Sequence, residues 1–352
     1  MSDYVYLDHA ASAPVKYFAK DYYIPGNPNS NHFMGLQVNQ ALNEARQRIM
    51  NCLGVKSGKV LVGGTASQLV DNLMWRIYSL GNYNILGSAY EHDCFNRWLD
   101  YRLTEYPTDQ ISKNDIICWM MVNNISGQVF NVEEIGSLCH KYGAYYIMDA
   151  VAAIGHYPIN NNLESFCDCL ITSAHKYGGP QGTGCMWVSD RFAKFLGLSN
   201  DSHEEYGLLR GTPSVSAAVA MSYAMENAIK NLDNKQKYWE LYLSYLIDKL
   251  YSNGVDVNVV CGEKTKTHAI NTLYLPNINA DVLTQYLSSK SIYISPGHSA
   301  CADNDDYRVL AAFGLTKEEA SQTVRISFGE STTQEDIDAL VDGIVEFNNL
   351  FI

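Results

Sequence analysis

The sequence is poor in basic residues. It has 25 Lys and Arg residues against 38 Asp and Glu residues, which gives a formal net charge of −13. This balance excludes a general nucleic-acid-binding surface, so we expect no direct binding of nucleic acid. A local basic patch is still compatible with the composition, and an acidic protein can prefer a basic protein partner.

Long apolar runs and paired cysteines are also missing. No apolar run is long enough to span a bilayer, so we expect no membrane partner. The first residues, MSDYVYLDHA, lack the basic and apolar regions of a signal peptide. The nine cysteines are odd in number, scattered and without CxxC pairs, which argues against structural disulfides and a zinc site. Together these features predict a reducing cytoplasm.

The chain does have the composition of a globular protein. Of its 352 residues, 47% are hydrophobic and 18% are charged, and this length is enough for two domains. Strands and helices alternate from Lys59 to Leu196, which is typical of an α/β fold with a mainly parallel sheet covered on both faces. We predict a large domain at 15–240. A smaller α+β domain would be formed by 1–14 and 241–352.

The stretch LITSAHKYGGPQGTGCMWV (Leu170–Val188) places Lys176 directly after an apolar strand, inside a Gly/Pro-rich loop. A lysine held there can lose part of its hydration, which lowers its pKa. That is the condition for a nucleophilic amine that forms a Schiff base. The alternative is a surface lysine at the mouth of a loop, which is the commoner case for an isolated lysine.

Two other features complete a pattern. The strand Lys59–Val62 runs into the turn Gly63–Ser67 before a helix, an arrangement that favours a phosphate. It has no Walker lysine and no G-x-G-x-x-G, so alone it is also an ordinary turn. Asp149 ends another apolar strand, where a lone aspartate is most often a cap. An amine, an acid and a phosphate turn are together what pyridoxal phosphate requires.

Ordered motifs carry a family resemblance. They are YLDHAASAPV (Tyr6–Val15), GNPNSNH (Gly26–His32), GGTAS (Gly63–Ser67), EH (Glu91–His92), VNN..G (Val122–Gly127), MDAVAAIGH (Met148–His156), TSAHKYGGPQGTG (Thr172–Gly184), RGTP (Arg210–Pro213), GHSAC (Gly297–Cys301) and VRISFG (Val324–Gly329). By this set, which covers nearly the whole chain, the sequence resembles the fold-type I, class V aminotransferase group of pyridoxal-phosphate (PLP) enzymes. Within that group it resembles the cysteine desulfurases, whose large domain has a mainly parallel sheet of the seven-stranded type.

The resemblance implies a PLP cofactor, L-cysteine as the substrate, a sulfur-acceptor protein as partner, and a homodimer; no metal is expected. Lys176 would be the Schiff-base lysine and the acid/base, and Cys301 would be the nucleophile that carries a persulfide. At the cofactor ring, Asp149 would pair with the pyridinium, His92 would stack on the ring and Asn124 would lie near the ring hydroxyl. The residues implied at the phosphate are Thr65, Ala66, Ser173 and His175, with Thr212 at the phosphate of the neighbouring subunit, and those implied at the substrate are Asn27 and Arg325. Read alone, His92 could equally be a core histidine and Arg325 part of a structural ion pair.

Cys301 separates the possible activities. Most free cysteines behave as buried small hydrophobes, a reading that suits Cys118 and Cys185 but not a thiol in the small, polar stretch SPGHSACADN. A loop cysteine near His298 and a cationic site would form a thiolate readily. In the resembled family, the matching cysteine takes sulfur from L-cysteine and leaves alanine.

Some positions depart from the family pattern. Ala152 stands where a glutamine usually bonds the ring hydroxyl, and Glu330 stands where an arginine is expected. Two other readings therefore stay open: another class V enzyme such as an aminotransferase or a cysteine/selenocysteine β-lyase, or a PLP-bearing scaffold. The pathway of the acceptor is also open among iron–sulfur assembly, tRNA thiolation and DNA phosphorothioation.

Overall fold

The computed structural model describes residues 4–105, 111–202, 204–298 and 307–351. The chain divides into two compact units. The large unit comprises Pro14–Met121 and Phe130–Lys230, and the small unit comprises Met1–Ala13, Val122–Val129 and Asn231–Ile352.

Strands are found in both units. In chain order they are β1 (Val5–Tyr6), β2 (Lys59–Gly63), β3 (Asn84–Ser88), β4 (Tyr101–Leu103), β5 (Asp115–Met120), β6 (Tyr145–Asp149), β7 (Cys169–Ser173), β8 (Gly184–Val188), β9 (Asn258–Val259), β10 (Ile270–Tyr274), β11 (Ile292–Tyr293), β12 (Ser295–Pro296) and β13 (Thr323–Ser327).

The α-helices likewise belong to both units. They are α1 (Phe33–Leu53), α2 (Ala66–Leu80), α3 (Asp93–Asn96), α4 (Val132–Tyr142), α5 (Asp190–Leu196), α6 (Val215–Ile229), α7 (Leu232–Ser252), α8 (Ala280–Ser289), α9 (Arg308–Ala312), α10 (Lys317–Ser321) and α11 (Gln334–Phe351). Among the described residues, no helix is both long enough and apolar enough to cross a membrane.

The large unit is built on a seven-stranded sheet with the order β2-β8-β7-β6-β5-β3-β4. The strands from β7 to β4 pair in parallel, whereas β8 pairs antiparallel with both β7 and β2. This mainly parallel α/β sheet confirms the predicted fold class. Every residue of β5, β7 and β8 is buried, as expected for strands covered on both faces.

The small unit has a four-stranded sheet with the order β12-β13-β10-β9 and a separate pair of β1 with β11. The segment Val122–Val129 belongs to this unit although it lies inside the predicted large domain. It is held there by a bridge between Gln128 and Lys266 and by the hydroxyl of Thr272, which donates to the carbonyl of Ile125 at 2.7 Å. The structure thus divides the chain at other points than residues 15 and 240.

The sequence pattern predicts helical structure from Ser214 to Leu250, and the structure confirms it with two helices. Helix α6 ends at Ile229 and α7 begins at Leu232. Between them Asn231 takes a left-handed conformation with φ of 54°. No glycine or proline marks this break, and asparagine is among the few other residues that enter that region readily.

We predict that Gly136→Ala destabilises the large unit because α4 packs closely against another segment there. A Cβ at Gly136 would lie 2.0 Å from the carbonyl oxygen of Phe166. The backbone must shift to relieve this clash, so the loss in unfolding free energy should reach or exceed the upper end of roughly 1–3 kcal/mol. Chemical denaturation of the apo protein measures it.

The matched control is Gly197→Ala, at the C-terminal cap of α5. Gly197 has φ of 68° and nothing within 4 Å of an added Cβ, so only the left-handed backbone is penalised, by about 1 kcal/mol. A loss at Gly136 no larger than the loss at Gly197 would contradict the close approach of α4 to Phe166.

Candidate active site

Asp149 is the last residue of β6 and is buried. Its Oδ1 accepts a hydrogen bond from the Val151 N–H at 2.8 Å. Burial raises the pKa of this carboxyl, while the Val151 N–H and the charges of His92 and Lys176 lower it. A buried carboxylate beside two groups that can carry positive charge is suited to a cationic partner.

Lys176 comes directly after β7, which is the parallel neighbour of β6. It ends a single 3-10 turn, Ala174–Lys176, and is half-buried. The turn is fixed because the Ala174 N–H donates to the Thr183 carbonyl at 2.9 Å, and the Ala174 carbonyl accepts from the Gly179 N–H at 2.9 Å. The amine is therefore presented at the carboxyl edge of the sheet, as the sequence predicts for a strand-end lysine.

His175 precedes the lysine in the same turn. Burial, followed by the charge of Lys176, lowers its pKa to about 4. Its imidazole is thus neutral near pH 7, so it can donate or accept a hydrogen bond without adding charge to the site.

His92 is the N-cap of α3, the short helix that follows β3. Its Nδ1 accepts from the Cys94 N–H at 3.2 Å and lies 3.2 Å from the Cys94 Sγ. Because Nδ1 is the acceptor, the neutral ring carries its proton on Nε2. The cap thus sets both the orientation and the tautomer of the ring.

Glu91 is a buried residue of this edge to which the sequence analysis gave no role. Its Oε1 accepts from the Ser88 hydroxyl at 2.5 Å and from the Met120 N–H at 2.8 Å. It thereby joins the carboxyl ends of β3 and β5 immediately before His92. The only sequence signal for Glu91 is its place in the motif Glu91–His92. Its partner Met120 is 29 residues away, so the sequence does not reveal that contact.

The phosphate turn joins β2 to α2. Thr65 is the N-cap: its Oγ1 accepts from the Gln68 N–H at 3.2 Å, and Gln68 Oε1 accepts from the Thr65 N–H at 3.2 Å. The first N–H groups of a helix have no partner within the helix, so they and the helix dipole favour an anion. Ala66, which is buried, begins that helix.

Strand register brings Ser173, another predicted phosphate residue, close to this turn. Ser173 pairs with Gly184, and Gly184 pairs with Gly63, across three adjacent strands. A Cβ at Gly184 would lie 3.0 Å from the Gly64 carbonyl oxygen and 3.3 Å from the Ala66 nitrogen. The glycine therefore permits a close backbone approach at the turn. These donors, with Asp149 and Lys176, fit a cofactor that has a phosphate, a ring nitrogen and an aldehyde.

Two further predicted residues lie together on the surface of the large unit. Asn27 Nδ2 donates to Thr212 Oγ1 at 3.4 Å, and both residues are exposed. This contact joins the GNPNSNH and RGTP motifs, which are far apart in the sequence.

The small unit holds Arg325 and Asn124 together. Arg325 lies in β13, is 3% exposed, and donates to the Asn124 carbonyl at 3.1 Å and to Asp8 Oδ1 at 2.9 Å. It also donates to Ser295 Oγ at 3.4 Å. The ion pair with Asp8 is the structural alternative considered for this arginine, and one guanidinium fork can serve both that pair and a substrate carboxylate.

Cys301 lies outside the described residues. The described residues on either side of 299–306 are in contact, because the rings of His298 and Tyr307 have centroids 5.1 Å apart. His298 Nε2 is also 3.4 Å from Asp281 Oδ1. Cys118 and Cys185 are fully buried, as the sequence predicts.

Comparison with known proteins adds a family and a fold. The family model for aminotransferase class-V matches residues 98–340. The cysteine desulfurase IscS of Dictyoglomus turgidum is 27% identical over 371 aligned positions, which cover 96% of this chain and 93% of that protein. A putative cysteine desulfurase, IscS 1 of Bacillus subtilis, is 29% identical and covers 95% of each chain.

Solved structures agree in fold. A NifS-like protein has a TM-score of 0.86 at 24% identity and covers 99% of this chain and 100% of its own. A NifS-like protein from Rickettsia africae has a TM-score of 0.84 at 22% identity, with the same coverage. The resemblance drawn from the motifs is thereby confirmed: the chain belongs to the class-V aminotransferase family and is similar along its length to cysteine desulfurases.

Proposed function

We propose that this protein is a PLP-dependent cysteine desulfurase, which converts L-cysteine to L-alanine and leaves a persulfide on Cys301 for a sulfur-acceptor protein. The observation that carries the proposal is the placement of the buried Asp149 at the carboxyl end of β6, with Lys176 in the turn that follows the neighbouring parallel strand β7. The full-length similarity to proteins named cysteine desulfurase selects this reaction among those of the family.

When bound, PLP would supply an aldehyde for an amine and a ring that accepts electrons from the substrate α-carbon. Asp149 would hold the proton on the ring nitrogen, because the burial that makes an unpaired carboxylate costly makes its pairing with a cation favourable. His92, fixed by its cap, would lie against the ring. Thr65, Ala66, Ser173 and His175 would hold the phosphate.

Lys176 would have two tasks. Its amine would anchor the cofactor until substrate amine replaces it, and it would then take the proton from the substrate α-carbon. Arg325 would bind the substrate carboxylate with its planar fork, and Asn27 would assist. Asn124 is the residue proposed for the ring hydroxyl, because Ala152 cannot donate a hydrogen bond there.

Cys301 would act on the substrate sulfur. Its thiolate attacks that sulfur and forms the S–S bond, while the C–S bond of the substrate breaks and its electron pair stays with the substrate carbon. A proton added to that carbon, together with return of the proton that Lys176 took to the α-carbon, gives alanine, and the transferred sulfur remains on Cys301 as a persulfide. An acceptor thiol would then remove it.

We also propose a homodimer in the cytoplasm. Thr212 is exposed and is oriented by Asn27, which supports the role of reaching the phosphate of a second copy. The eight cysteines in the part of the chain that the structure describes are free thiols, which supports a reducing compartment. The large unit would be the PLP-binding domain, and the small unit would carry the cysteine.

Asp149→Asn tests the ring-nitrogen role. The amide oxygen can still accept from Val151, but the negative charge is lost. We expect kcat for alanine formation to fall about 10- to 100-fold, the value of one hydrogen bond to a charged group. Borohydride should still trap PLP on Lys176.

Asp115→Asn is the matched control, since Asp115 is also a buried aspartate but begins β5, at the opposite edge of the sheet. It accepts from Asn84 Nδ2 at 2.8 Å and from the Ser112 N–H at 2.7 Å. Its kcat should stay close to that of the wild type. An equal loss of kcat in the two variants would contradict the proposed role of Asp149 at the ring nitrogen.

Cys301→Ala separates a desulfurase from an aminotransferase or a β-lyase, neither of which needs this thiol. Alanine release from L-cysteine should fall by roughly 10³-fold or more because the nucleophile is gone, while the absorbance of bound PLP persists. Cys52→Ala, at a half-buried thiol on α1, should leave turnover unchanged. Turnover in the Cys301 variant within twofold of the wild type would reject the proposed reaction.

A further inference from the structure

Glu205 is a buried acid that the proposed reaction does not use. Its side chain is 2% exposed, and its two oxygens have different partners. Oε1 accepts from Arg46 Nη2 at 2.6 Å, and Oε2 accepts from the Val62 N–H at 2.8 Å. Burial raises the pKa of Glu205, whereas Arg46 and the Val62 N–H lower it. Removing one partner would leave a buried charge uncompensated, so this arrangement is strongly constrained.

Val62 lies in β2, the terminal strand of the seven-stranded sheet. On one side β2 pairs with β8, and the Val62 N–H points to the other side, where it meets Glu205. Glu205 thus takes the place of the absent neighbouring strand, one residue before Gly63. Because a carboxylate of the protein, and not water, accepts from this N–H, the end of the strand is held in place.

The residues that follow Glu205 reach the same turn. A Cβ at Gly63 would lie 3.0 Å from Leu209 Cδ1, so this leucine rests directly on the glycine. Glu204 Oε2 accepts from the Gly211 N–H at 2.7 Å, immediately before Thr212. Leu209 therefore packs on the turn, and the bond from Gly211 to Glu204 closes the segment 204–211 just before Thr212.

The backbone at this point is strained. Glu205 and Tyr206 have φ values of 36° and 57°, in a region where residues such as glutamate and tyrosine are uncommon and are held by their surroundings. Arg46 helps to hold this conformation, because its guanidinium pairs with Glu205 and lies 5.3 Å from the Tyr206 ring centroid. Lys59, at the start of β2, lies 4.7 Å from the same ring.

We infer that Glu205 is a positioning residue for the turn Gly63–Thr65: by holding Val62 it keeps the N–H groups of the turn and of the start of α2 in the geometry that a phosphate group requires. The inference rests on the proposed function, because it takes this phosphate to be that of PLP. Glu205 acts through β2 and does not touch the phosphate, which its own negative charge would repel.

The test compares the affinity of the apo protein for PLP with its affinity for pyridoxal, which has the same ring and aldehyde but no phosphate. The groups proposed to contact Lys176 and Asp149 are the same in the two ligands. The ratio of the two dissociation constants therefore measures how much the phosphate contributes to binding. In Glu205→Gln this preference for PLP should fall about 10-fold, the effect of losing one hydrogen bond to a charged group. Melting temperatures show whether each variant is folded.

Glu164→Gln is the matched control, because Glu164 binds the chain just before β2 begins. Glu164 Oε1 accepts from the backbone N–H groups of Lys56 at 2.8 Å and Ser57 at 2.6 Å, just before β2 begins. The substitution removes the same charge beside the same strand, but at the end away from the turn. The PLP preference of this variant should equal that of the wild type.

A second variant, Glu205→Asp, keeps the charge beside Arg46 but shortens the reach to Val62, so it should fold and still lose PLP preference. Folded Glu205 variants with the wild-type preference would overturn the inference, and so would an equal loss in Glu164→Gln. A wild-type protein that binds pyridoxal as tightly as PLP would overturn both the inference and the proposed cofactor site. A protein that shows the expected shift but forms no alanine would support the inference and reject only the proposed reaction.

Discussion

The site depends on the charge of one carboxylate that is buried at the end of a strand. Water is excluded from Asp149, so its ionised form must be stabilised by what surrounds it. The N–H of Val151, two residues along the chain, is the largest influence that lowers the pKa of this carboxyl, and the charges of His92 and Lys176 follow. Because β6 has parallel neighbours, the loops that leave the carboxyl ends of the nearby strands are the segments able to deliver such groups. Lys176 comes from the loop after β7 and His92 from the loop after β3.

At this edge of the seven-stranded sheet, the strand ends are held in place by acidic side chains that accept hydrogen bonds from backbone N–H groups. Glu91 joins the ends of β3 and β5, and Glu205 holds the end of β2. In both cases a buried carboxylate, rather than a neighbouring strand, satisfies an N–H group close to the site. Such an acceptor fixes a strand end more firmly than water would, because loss of either partner leaves a polar group buried and unsatisfied. The residues proposed for the ring and the phosphate are thus supported by side chains to which the proposed reaction gives no role.

The sequence alone was sufficient where the signal is local. The strand-end positions of Lys176 and Asp149 and the glycine turn after β2 follow from short patterns. Contacts between residues that are distant in the sequence could not be predicted from the sequence. An apolar run such as β8 has no direction, so its antiparallel pairing between β2 and β7 could not be read from it. The pairs Arg325–Asp8 and Glu205–Val62 span long separations, and nothing in the residues themselves specifies their partners.

The two departures from the family pattern differ in their physical weight. Glu330 pairs with Lys235 within the small unit, so the acid that replaces the usual arginine has a structural role and need not signal lost activity. Ala152 is 7% exposed and three residues beyond Asp149, and its methyl group cannot bond a ring hydroxyl. That hydroxyl contact would be a single hydrogen bond, whereas Asp149 in its proposed role would act on a full positive charge in a buried setting, where electrostatic interactions are strongest. The group with the larger influence on the ring is therefore retained, which favours an active enzyme with altered tuning over an inactive scaffold.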